Sequence, residues 1–148
     1  MKNIYKVLVL CIIAMSSYQG EAQISTSSRQ SQFSKFAEKL PTPLSELDKA
    51  FRAEIGSRVQ LHFSNLSFSG TVTSSVAKYD NLHTVIIKSS SQDNTLFSIS
   101  KRINEDQTAT YVGRIINEKY ADGYELRKES DGTYVLQKIQ TETLIQDY

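Results

Sequence analysis

The chain has 148 residues, with 17 lysines and arginines against 16 acidic residues, two histidines and one cysteine. A single cysteine excludes an internal disulfide framework, and basic residues that never run longer than a pair, as in Lys101-Arg102 and Arg127-Lys128, argue against nucleic acid as a partner. The length suits one domain able to bury its own core.

The amino end reads as a secretory signal peptide over residues 1–22. Lys2 and Lys6 precede the apolar run from Val7 to Met15, and Gly20-Glu21-Ala22 places small residues where a signal peptidase reads them, so the cut is expected after Ala22. That run is far short of the roughly 20 apolar residues a membrane span needs. Leu10, bulky and just ahead of Cys11, argues against lipid attachment there. The mature protein is thus expected to start at Gln23, to be secreted or periplasmic, and to have no cysteine and no membrane span. Losing Lys2, Lys6 and Glu21 leaves 15 residues of each charge.

Residues 23–32 are Ser, Gln and Thr with little apolar content, which predicts a flexible tail. Phe33, Phe36 and Leu40 then fall at helical spacing, giving a short helix that Pro41 ends. A stronger helix follows over about 43–55, with Thr42 as its cap or Ser45, with Asp48 three on, as an alternative start, Leu44, Leu47, Phe51 and Ile55 as its apolar stripe and Gly56 as its left-handed stop.

Beyond Gly56 the hydrophobic period changes to two. Val59 to Phe63 alternates as a half-buried strand, and six more strands are expected over 68–76, 82–88, 95–102, 108–116, 123–129 and 133–139. The links between them are turn chemistry such as Asp80-Asn81 and Ser130-Asp131-Gly132, too short for parallel crossovers. The expected fold is α+β: one domain over 33–148, its helix packed on a curved or partly closed antiparallel meander of about seven strands. Gly70 and Gly113, inside strands, are read as points where the sheet bends. In the last hairpin, Glu129 to Thr133 fits a three-residue loop with Gly132 at the bulge position; Lys128 then faces Tyr134, Leu126 faces Leu136, and Tyr124 faces Lys138.

No residue set announces catalysis. His62 and His83 read as solvated surface residues, too far from further ligands to hold a metal. Ser69 lacks a nucleophile elbow, and Asp80, Asp93, Glu105, Asp106, Asp122 and Asp131 read as turn acids. No metal, cofactor or catalytic residue is expected. Tyrosine is the enriched aromatic of the carboxyl-terminal half, and Tyr111, Tyr124 and Tyr134 are the candidate protein-binding residues, since tyrosine joins large apolar area to a polar tip.

Tyr111-Val112-Gly113-Arg114-Ile115-Ile116, followed by Gly123-Tyr124-Glu125-Leu126 and Gly132-Thr133-Tyr134-Val135-Leu136, resembles the strand repeats of amino-terminal propeptide-like domains in secreted bacterial metalloproteases. The resemblance covers roughly residues 95–145. Such propeptides precede a catalytic domain, which this sequence does not supply, so the likeness implies a free-standing relative acting as inhibitor or folding partner of an exported protease. The expected function is therefore that of an exported, non-catalytic module whose partner is another exported protein. A carrier with an apolar pocket inside the curled sheet is the alternative. A filled interior favours the first and a cavity the second.

Overall fold

The computed structural model describes residues 29–141; the expected leader, residues 23–28 of the expected tail, and residues 142–148 lie outside them. The elements are β1 (Lys39–Pro41), α1 (Leu44–Arg52), β2 (Arg58–Phe63), β3 (Leu66–Tyr79), β4 (Leu82–Ser89), β5 (Leu96–Ile103), β6 (Ala109–Ile116), β7 (Asp122–Lys128) and β8 (Tyr134–Gln140). Seven of the eight strands coincide with expected ones to within three residues at each end.

All eight strands form one antiparallel sheet in the order β1-β8-β7-β6-β5-β4-β3-β2, curled into a half-barrel. The eighth strand, β1, replaces the short helix expected from Phe33 to Leu40. Leu40 is buried opposite Leu136, and Lys39 and Pro41 pair with Gln137 and Val135. Helical spacing of three apolar residues misleads here because Phe33 and Leu40 reach the core from an irregular segment and a strand.

Alternation decides what fills the half-barrel. Leu61, Phe68, Ile87, Phe97, Ile115 and Tyr124 all point to the concave side and are fully buried. Phe97 meets Phe63 and Phe68 edge-on, with ring centroids 5.8 Å apart in both pairs. Two strand glycines lie where the neighbouring strand's backbone comes close. A Cβ on Gly70 would lie 2.4 Å from the Lys88 carbonyl oxygen, and one on Gly113 would lie 2.7 Å from that of Ser98. Both glycines thus let neighbouring strands coil more tightly than a side chain permits.

Helix α1 closes the open side, although it is shorter than the 43–55 expected. Pro43 occupies the N-cap position with no side-chain cap, and the Thr42 hydroxyl turns back to the Leu40 carbonyl at 3.1 Å. Ala53 is already extended, because the chain is drawn into pairing with β3: Gly56 donates to the Val72 carbonyl at 2.8 Å. Gly56 does have a positive φ of 86°, but in the turn that leads to β2 rather than at the helix end. Leu47 and Ala50 are buried, whereas Leu44 and Ile55 of the expected stripe are 50% and 64% exposed.

The fold also takes in residues ahead of Phe33. Asp122, buried at the start of β7, accepts hydrogen bonds from the Ser31 hydroxyl, from the Gln32 amide at 2.6 Å and from the Phe33 amide at 3.0 Å. Gln30 accepts from the Ala121 amide at 3.1 Å. Residues 30–32 of the expected tail are therefore part of the fold, and Asp122 is not a solvated turn acid.

Candidate functional site

The three tyrosines expected to bind protein are all buried. The Tyr111 and Tyr134 rings meet edge-on at 5.6 Å, and the Tyr134 hydroxyl accepts the Tyr111 amide at 3.1 Å. Tyr124 packs edge-on against Phe33 at 5.1 Å and donates to the Ala37 carbonyl at 2.7 Å. Burial, with the charges of Glu38 and Asp122, pushes the Tyr124 pKa up to about 12. All three are core residues that tie the amino-terminal segment and α1 to the sheet, and none is available as a surface anchor. Their placement follows from the last hairpin's register, which holds as expected: Lys128 faces Tyr134, Leu126 faces Leu136 and Tyr124 faces Lys138.

A polar cluster lies where α1 meets the concave side. The Asp48 carboxylate accepts from the Tyr111 hydroxyl at 2.7 Å and from the Lys101 ammonium at 3.1 Å. The Tyr111 hydrogen bond, against some desolvation, holds the Asp48 pKa below the usual carboxylate range. Burial pulls the Lys101 pKa down, but its bonds to Asp48 and Tyr111 outweigh that and leave it raised. Beside this group, Ser75 Oγ lies 2.8 Å from His83 Nε2, and the His83 ring packs edge-on against Phe51 at 5.3 Å. His83 is thus half-buried rather than a free surface residue. The other histidine, His62, is exposed, with its backbone amide bonded to Glu46 at 2.7 Å. No group of three or more potential metal ligands occurs among the described residues.

The outer face of the sheet differs from both. Its cross-strand rows follow from the register: Val76, Thr84, Ser100 and Val112 form one, and Ile86, Ser98, Arg114 and Glu125 another. Ser98 and Ser100 are short side chains on β5, with β4 and β6 on either side of them. Over them lies an open hollow of about 610 Å³ that runs across Val112, Arg114 and Ile116 of β6 to Glu125 and Leu126 of β7. Two smaller hollows adjoin it. One, of about 210 Å³, shares Ser100 and Val112 and ends at Arg102 and Asn104; the other, of about 330 Å³, shares Ile116 and ends at Lys88 and Asn94. Val112 is 58% exposed and Leu96 37% exposed on this face. Sequence reasoning misses the groove because its walls are every second residue of separate strands, and only their register brings them together.

The two ends of the sheet are protected in different ways. On β2 the Glu46 carboxylate of α1 takes the His62 amide, and the Lys49 ammonium reaches the Gln60 carbonyl at 3.3 Å. At the other edge, β1 is three residues long and includes Pro41, which has no N–H to offer. Among the described residues no helix is long and apolar enough to cross a membrane.

Comparisons with protein-family models, with curated proteins and with solved structures find no match to this chain.

Proposed function

We propose that this protein is an exported, non-catalytic binding module that holds another exported protein on the outer face of its sheet. The observation that supports this reading is the filled interior. Phe33, Phe63, Phe68, Phe97, Tyr124 and Leu136 are fully buried on the concave side, so the ligand-carrier alternative has no comparable support. The open hollows along β5 and β6, with Val112 and Leu96 exposed beside them, offer the contact area instead. With β2 engaged by α1 at His62 and Gln60, and β1 short and ended by Pro41, face-on docking is favoured over strand addition.

A non-catalytic role accords with the commitments inside the polar cluster. A serine–histidine pair acts as nucleophile and base when a third group orients the histidine. The nearby carboxylate, Asp48, is engaged by Tyr111 and Lys101. The leader pattern of residues 1–22 supports export. The likeness of residues 95–145 to protease propeptides supports an exported protease as the partner.

The test is capture from host culture supernatant with the wild-type protein and with a Val112→Glu/Leu96→Glu double variant. The expected result is a partner retained by the first and lost by the second, since both side chains are exposed and their loss leaves the core intact. Recovery of no protein by either form, together with a small molecule in native mass spectra of the purified protein, would reassign it as a carrier.

A further inference from the structure

We infer that the groove along β5 and β6 receives an extended, acidic segment of the partner protein, an inference that rests on the outer face being the docking surface. Its dimensions point to an extended chain. The three hollows run end to end through shared Ser100, Val112 and Ile116, alongside strands of eight residues each. At about 3.3 Å per residue that is a length of roughly 26 Å, matching an octapeptide in strand conformation. The main hollow reaches from Ser98 and Ser100 on β5 across β6 to Glu125 on β7; that is two strand spacings, about 9.6 Å, which admits an extended chain but is narrow for a helix about 10–12 Å across with its side chains.

The charge on this face decides the chemistry of that segment. Outward-facing strand positions carry Lys39, Arg58, Lys88, Arg102, Arg114 and Arg127, and a single acid, Glu125. Glu125 is shared between Arg114 and Arg127, at 2.8 Å from each. Lys39 is paired with Glu129 at 2.9 Å. Arg58, Lys88 and Arg102 have no ion-pair partner among the described residues. Two of these three, Lys88 and Arg102, stand at opposite ends of the groove with Arg114 between them; Lys119 joins Lys88 at its end, and against these four cations the groove is lined by two acids, Glu118 and the already paired Glu125. A sequence with almost balanced charge thus folds with six cations and one acid at the outward strand positions, and most of its acids in α1 and the loops. Val112, Ile116 and Leu96 add aliphatic contacts between the cations, so the fitting segment alternates acidic with aliphatic side chains.

Fluorescence anisotropy with a labelled octapeptide of alternating glutamate and valine tests this on the purified full-length protein. The same measurement is made with a lysine–valine counterpart, with phosphatidylglycerol vesicles and with single-stranded DNA. The glutamate peptide should bind in low salt and weaken about tenfold or more as screening increases. It should weaken by a similar factor in a Lys88→Glu/Arg102→Glu variant, whose circular dichroism should match wild type because both side chains are exposed. The lysine peptide should not bind. No binding of the glutamate peptide, equal binding by the variant, or preference for vesicles or DNA would overturn the inference. If it fails while Val112→Glu/Leu96→Glu still abolishes partner capture, the docking face stands and only the acidic segment falls. If that capture is also unaffected, both fall.

Discussion

Asp48 on α1 accepts the hydroxyl of Tyr111 on β6 at 2.7 Å, joining the helix to the middle of the sheet. Removing that hydroxyl in Tyr111→Phe keeps the ring packed and should cost roughly 1 to 2 kcal/mol, the low side of a hydrogen bond to a charged group because the Asp48 carboxylate is partly solvated. The Asp48 pKa is depressed by this bond. Its contribution is therefore complete above the unfolded carboxylate value, about 3.9, and lost as pH falls through the lower folded value. Urea midpoints should show wild type and Tyr111→Phe well separated at neutral pH and converging as pH falls through the lowered Asp48 value.

Asp122 satisfies three donors of residues 31–33. Asp122→Ala leaves the buried Phe33 amide without its acceptor and should destabilise by about 2 to 4 kcal/mol. Limited proteolysis should then cut near Gln30 before the remaining domain, and a chain truncated to begin at Phe33 should be less stable than one beginning at Arg29. Equal stability of the two truncations would show that the latch contributes nothing.

Gly113→Ala tests the tight coiling of β5 on β6. The added carbon would meet the Ser98 carbonyl oxygen at 2.7 Å and the Ile99 Cα at 3.2 Å, both backbone atoms that cannot swing aside. A loss of about 1 to 3 kcal/mol in chemical denaturation is expected.

Gly132→Val differs in mechanism. A side chain at this position would point into open space, with nothing within 4 Å of its Cβ, but the backbone φ is +86°. Strain of a β-branched residue in that region should cost roughly 1 to 2 kcal/mol, while Gly132→Asn should cost less. Equal losses for the two variants would indicate a cause other than backbone conformation.

The protein recovered after export should begin at Gln23 and carry no lipid, which intact mass measures directly. A retained leader or a diacylglycerol adduct would contradict the cut after Ala22.

The strands are legible in the sequence because period-two alternation continues almost unbroken from Val59 to Ile139, and the Asp131-Gly132 turn carries enough stereochemistry to set a register. β1 is not, since three residues ending in proline carry no period. Asp122 misleads by its position beside a turn, although its alternation with Tyr124 and Leu126 places all three on the concave side. The same alternation buries the tyrosines that composition alone offers as a binding platform. The outer groove and its cations need pairing across β4, β5 and β6, which is long-range information absent from any single segment.

The covering of β2 by Glu46 and Lys49 has a consequence for the protein in quantity. A curled sheet that never closes into a ring keeps two ends, and each is a template on which a second chain could add its own strand, and a third after it, toward a fibril. Here one end has one amide, of His62, and one carbonyl, of Gln60, occupied by helix side chains, and the other is short and ended by proline. Removing these two helix side chains, as in Glu46→Ala/Lys49→Ala, would expose more of the strand edge without touching the core, and self-association on storage rather than unfolding would be the first sign.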